Sequence, residues 1–165
     1  MTIHRSFAVT CPIFALLLVM LADHPAAQAQ NKKNPYACSE PDPASLCSPA
    51  NMCGTASQQC SVDIKRTANA ASATPSFPGA KGNSTFCVKA GTTVVWKSDT
   101  KHQGFIVDMG PTSPFNIDDI IGGSNKSVSV VAKTPGCYKY SVGACISGEI
   151  YGMCGNSTAE VVIVK

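Results

Sequence analysis

Phe86-Cys87-Val88-Lys89-Ala90-Gly91-Thr92-Thr93-Val94-Val95-Trp96-Lys97 is the stretch that decides how this chain folds. Apolar and polar side chains alternate through Phe86 and Val88 and again through Val94 and Trp96, the period-two pattern of strands with one face in a core. Gly91 permits the tight passage between the two strands. Outward from this stretch, the alternation recurs at Val62 and Ile64, at Val128 and Val130, and at Tyr138 and Tyr140. Phe105-Ile106-Val107 and the closing Val161-Val162-Ile163-Val164 read as further strands. Val, Thr and aromatic residues dominate these runs, and Gly, Pro, Asn and Asp separate them. About seven or eight short strands at this spacing predict an all-β sandwich over residues 60–165. The run 114–121 is suited to a helical turn that Gly122-Gly123 would end.

Residues 1–29 have the pattern of a secretory signal. Arg5 supplies a positive n-region, Phe7 to Ala22 an apolar stretch, and Ala27-Gln28-Ala29 a cleavage site before Gln30. Pro12 and Asp23 leave that stretch short for a stable span. The expectation is an exported product, secreted or periplasmic, with no membrane span after cleavage. Cleavage removes Cys11, His4 and His24, so the cysteine count falls from 9 to 8, an even number suited to an oxidising compartment. Losing Arg5 and Asp23 leaves 12 basic and 9 acidic residues, the basic ones scattered singly rather than in blocks, so no nucleic-acid partner is expected. About 136 residues suffice for one domain with its own core.

Residues 30–59 differ from the rest. They are rich in Pro, Ser, Ala and Asn, lack apolar periodicity, and carry Cys38, Cys47 and Cys53, with Cys60 directly after. Such a segment builds no core, so disulfides are expected to hold it as an irregular N-terminal extension. None of these cysteines has the C-x-x-C spacing of a thioredoxin-type redox site or a zinc ribbon. Cys87 and Cys137, on the strand runs, are candidates to tie the 38–60 segment down.

Two further stretches carry a resemblance. The Phe86–Trp96 run is similar to the cupredoxin strand pattern apolar-x-Val-x-x-Gly-x-x-Val-x-Trp, and a short polar loop leads from it to His102. Thr134-Pro135-Gly136-Cys137-Tyr138-Lys139-Tyr140 is similar to the family's closing Pro-Gly-x-Tyr-x-Tyr, and Gly152-Met153 precedes the last strand. The resemblance implies a cupredoxin-like Greek-key sandwich, with His102 as a copper ligand at its tip and Met153 at the axial position. One register places Val142 at the thiolate slot and Cys145 at the second histidine slot, and a looser one places Cys145 at the thiolate slot. A type 1 copper centre takes two imidazoles, a thiolate and a weak axial ligand. With the leader removed, His102 is the one imidazole in the chain, so no register completes that set.

The expected fold is therefore a copper-protein sandwich without type 1 copper, with all eight mature cysteines paired. Cys145 and Cys154, which bracket the family's metal-binding loop, are the leading expected pair, worth about 2–3 kcal/mol by loop closure. Two function classes follow. One is a monomeric binding or structural module that recognises an unidentified protein or small molecule. The other is a copper protein that holds Cu(I) through His102 with Met109 or Met153, or through a thiol left free, for copper handling or electron transfer. No cofactor is expected, copper being the one candidate. No enzymatic activity is expected, since no nucleophile stands beside the histidine, and Asp118-Asp119 read as a solvated turn. Asn83, Asn125 and Asn156 each begin a glycosylation acceptor triplet.

Overall fold

The computed structural model describes residues 38, 42–152 and 159–165. Ten strands account for about half of them: β1 (Cys60–Thr67), β2 (Ala70–Pro75), β3 (Phe86–Lys89), β4 (Thr93–Lys97), β5 (Gly104–Asp108), β6 (Asp119–Gly123), β7 (Val128–Val131), β8 (Gly136–Ile146), β9 (Glu149–Gly152) and β10 (Ala159–Val164). The strands form two sheets. One has the order β2-β1-β4-β7; the other runs β3-β10-β8-β5-β6, with β9 paired to β8. The chain changes sheet between β2 and β3, β3 and β4, β4 and β5, β6 and β7, and β7 and β8, which is Greek-key connectivity. Pairing is antiparallel except for β1 with β4 and β3 with β10.

The stretch Phe86–Lys97 explains itself in this arrangement. Phe86 and Val88 point inward from β3 in one sheet, Val94 and Trp96 inward from β4 in the other, and Gly91 turns the chain between them with φ 91°. These side chains are fully buried, and each contributes on the order of 1.5–3 kcal/mol by leaving water. Trp96 sits at the centre, edge-on to Phe86, Phe115 and Tyr140 at centroid distances of 6.4, 6.4 and 5.4 Å. Val62, Ile64, Phe105, Val107, Ile120, Val161 and Ile163 complete the core, and Tyr138 packs against it half-buried.

The strand count is higher than the sequence pattern suggested, because β2, β6 and β9 were not expected. In particular, Gly122 and Gly123 end no helical turn; they lie within β6, paired with Phe105 and Gly104 of β5. The N-terminal segment is irregular, with one 3-10 turn at Pro43–Leu46. Disulfides Cys38–Cys137 and Cys47–Cys87 staple it to β8 and β3, and Cys53–Cys60 closes it onto β1. Backbone bonds from Cys53 N–H to Cys87 O (2.8 Å) and from Cys87 N–H to Asn51 O (3.0 Å) also cover the outer edge of β3. The leader, residues 1–29, lies outside the described residues. Among the described residues, no helix is long and apolar enough to cross a membrane.

Candidate functional site

The end of the sandwich that carries His102 is shaped by the differing lengths of its strands. β4 stops at Lys97, opposite Asp63, while β1 continues to Thr67. The loop 98–103 fills the space that β4 leaves and presents His102, exposed and with a left-handed φ of 59°, at the entry to β5. An open cleft of about 340 Å³ borders it, lined by His102, Gly104, Ile121, Gly123, Asn125 and Lys126.

Behind His102 the sheet register places Cys145. Gly104 of β5 pairs with Cys145 of β8 on one side and with Gly123 of β6 on the other, and Cys145 pairs with Ile150 of β9. Residues directly opposite share a face, so Ile150, Cys145, Gly104 and Gly123 form one outward row. The parallel row holds Gly152, Gly143, Ile106 and Ile121. The face is apolar and low in relief, with Ile121 61% and Ile150 63% exposed. The sulfur of Cys145 is a free thiol on this face, half-buried. Cys154, the partner expected for it, lies outside the described residues. The six other cysteines among the described residues are paired.

Past Cys145, β8 runs without interruption into a two-residue hairpin. Ile146 pairs with Glu149 across Ser147 and Gly148, whose φ values of 53° and 84° suit a type I′ turn. Arg66 stacks over the Tyr151 ring at 3.6 Å from its centroid, and Tyr151 Oη donates to Glu149, tying the hairpin to the end of β1. That hydrogen bond holds the Tyr151 phenol above its ordinary range.

The other candidate residues lie elsewhere. Met109 is fully buried in the core beyond the far end of β5. The strand alone sets about 13 Å between its ends, whereas two ligands of one ion stand within roughly 5 Å of each other. Met109 therefore shares no ion with His102. Met153 and Asn156 lie outside the described residues. Asp118 and Asp119 are exposed, as a solvated turn requires, and Asp118 O accepts from Met109 N–H at 2.8 Å. Asn83 is engaged in the fold, its Oδ1 accepting from Ala73 N–H at 3.0 Å, while Asn125 is exposed on the turn beside His102. Among the described residues the one three-ligand cluster is Cys38, Cys137 and Glu160, and two of its members are bonded to each other.

A type 1 copper centre takes two imidazoles, a thiolate and a weak axial ligand. A thiol and one imidazole stand at the same end of β5, but a second imidazole is absent from the chain after residue 102 and Met109 is out of reach. Gln103 carries no signal in the sequence: polar, beside a histidine, it reads as a loop residue, yet it is 1% exposed.

The strand order defines an all-β sandwich of two sheets, and the Phe86–Trp96 and Pro135–Tyr140 runs, which resemble cupredoxin stretches, supply strands to both of them. No protein-family model matches the chain, and no curated protein matches it. Among solved structures, an oxidised amicyanin mutant is similar at 15% identity and a TM-score of 0.37, covering 70% of this chain and 95% of that one. A rusticyanin variant is similar at 15% identity and a TM-score of 0.37, covering 72% and 84% of the two chains. Reduced rusticyanin is similar at 15% identity and a TM-score of 0.33, covering 68% and 83%.

Proposed function

We propose that the protein is an exported, monomeric cupredoxin-like module without type 1 copper, which acts by binding through its surface and catalyses no reaction. The observation that carries this reading is the course of β8. Where a copper-binding loop would have to leave the sheet and bring further ligands back to His102, Cys145 is followed by a hairpin of Ile146, Ser147, Gly148 and Glu149. None of the hairpin's side chains is an imidazole or thioether, and register holds them to strand geometry. The apolar outward rows beside His102, with Ile121 and Ile150 exposed, supply a surface of the kind that binding partners use. Titration of the folded, oxidised protein with Cu(II) tests the reading. No intense blue thiolate-to-copper band is expected; a strong band that disappears in His102→Ala would overturn the proposal and make electron transfer the leading function.

A second reading is favoured by the free thiol of Cys145. Soft Cu(I) accepts low coordination by thiolate and imidazole, and Cys145 faces Gly104, two residues after His102. Copper handling would then rest on Cys145 and His102. Competition for Cu(I) against a chromophoric chelator separates the readings: wild-type protein that withdraws one equivalent, with the effect lost in both Cys145→Ser and His102→Ala, selects the copper reading.

A further inference from the structure

We infer that Gln103 is the positioning residue for His102, its side-chain amide taking the place of the main-chain N–H and C=O that a further β4 residue would offer β1 beyond Lys97. In a parallel ladder one residue donates its N–H to the carbonyl of residue i on the neighbouring strand and accepts at its C=O from the N–H of residue i+2. β4 makes its last pairing with β1 at Asp63. Immediately beyond, Gln103 Nε2 donates to Ile64 O at 2.8 Å and Gln103 Oε1 accepts from Arg66 N–H at 3.2 Å. These are the i and i+2 groups, so the side chain continues the ladder that the main chain has abandoned.

The remaining contacts of Gln103 join the other loops to this anchor. Its second amide proton goes to Ser98 Oγ at 2.8 Å, and that buried hydroxyl in turn accepts from Thr100 N–H at 3.3 Å. Its main-chain N–H donates to Thr100 O at 3.2 Å, and its carbonyl accepts from Ser124 N–H at 2.9 Å on the β6–β7 turn. One residue therefore links the end of β1, the 98–103 loop and the turn that carries Asn125 and Lys126. His102, next to it, sits in a left-handed conformation that costs a residue with a Cβ on the order of 1 kcal/mol. The bonds of Gln103 hold it there. Asn in this position would fall one methylene short of β1, and Glu would lose both donors.

The inference rests on the reading of the His102 end as the binding end, and its test separates the two. Gln103→Met keeps the volume and removes every side-chain bond; Gln103→Glu keeps only the acceptor for Arg66 and serves where the Met variant does not fold. Amide hydrogen exchange and the His102 ring resonances are followed by NMR in the full-length mature protein. Exchange is expected to accelerate about tenfold or more in residues 98–103 and 124–126 while β8 and β10 keep their protection, and the His102 ring signals should shift toward free-peptide values. Wild-type exchange and ring signals in the variants would overturn the proposal. So would uniform acceleration across all strands, since that marks a general stabilising role. Cu(I) competition on the same samples reports separately: wild-type protein that withdraws no Cu(I) sinks the copper reading, while the exchange data still judge Gln103.

Discussion

Tyr140 shows most directly how one side chain makes this core sensitive to pH. It is fully buried among Trp96 and Phe86, and among the described residues its hydroxyl has no hydrogen-bonding partner; Trp96 Nε1 and Thr92 Oγ1 share that condition. Burial pushes the Tyr140 phenol well above its ordinary value. A phenol that holds its proton more tightly when folded stabilises the fold fully below the unfolded value near 10, and that stability is lost as pH rises beyond it. Urea unfolding from pH 7 to 11.5 is therefore expected to show stability falling above about pH 10, by up to about 1.4 kcal/mol per pH unit from this group. Tyr140→Phe should unfold at the same or higher urea concentration at pH 7, since the buried hydroxyl is worth little without a partner. It should also lose most of the alkaline decline, with a smaller slope left by half-buried Tyr138, whose phenol burial also raises. An alkaline decline of unchanged steepness in the variant would refute this account of Tyr140.

At the scale of elements, the strands that were legible in the sequence are those whose inward positions carry large apolar side chains: Val62 and Ile64, Phe86 and Val88, Val94 and Trp96, Tyr140, Val161 and Ile163. Of the three that were not, β9 is only the four residues Glu149–Gly152, and the other two carry small residues at deciding positions. β2 reads Ala-Ala-Ser-Ala-Thr-Pro and buries only Ala71, Ala73 and Pro75, so no apolar alternation announces it. β6 holds Gly122 and Gly123, which local preference assigns to a turn, because the sheet needs room there. A Cβ at Gly122 would stand 2.5 Å from both Lys126 O and Phe105 Cζ. Gly122→Ala should accordingly displace Phe105 or open the β6–β7 turn and cost on the order of 1–3 kcal/mol. Gly123→Ala, whose nearest contact is 3.3 Å, should cost less. Equal thermal midpoints for the two variants would argue against that packing. The candidate site was legible only as far as His102. The free thiol of Cys145, the hairpin that follows it and the strut made by Gln103 all depend on strand register, which pairs residues distant in the sequence.

For the molecule as a whole, the question is what fixes an extension that builds no core of its own. Of the described residues before β1, only Cys53 is buried, and the 3-10 turn at Pro43–Leu46 buries none. Covalent bonds therefore do the holding. Cys38–Cys137 spans 99 residues, Cys47–Cys87 spans 40 and Cys53–Cys60 spans 7. By loop-closure entropy these restrict the unfolded chain by about 4.7, about 4 and about 2.5 kcal/mol respectively. Replacing the first pair as Cys38→Ala with Cys137→Ala gives the clearest test, since both sites are only half-buried and truncation leaves little cavity. The sandwich should still form, because Cys47–Cys87, Cys53–Cys60 and the backbone bonds between 51–53 and Cys87 keep the extension on β3. Its far-UV spectrum should match that of the wild type, while urea unfolding should show a loss of about 4–5 kcal/mol with a larger dependence on denaturant, as expected for a more expanded unfolded state. A loss below about 1 kcal/mol would mean that the unfolded chain is already restricted without this bond. A β spectrum that collapses would mean that the extension is part of the folding unit, and that the sandwich does not stand without it.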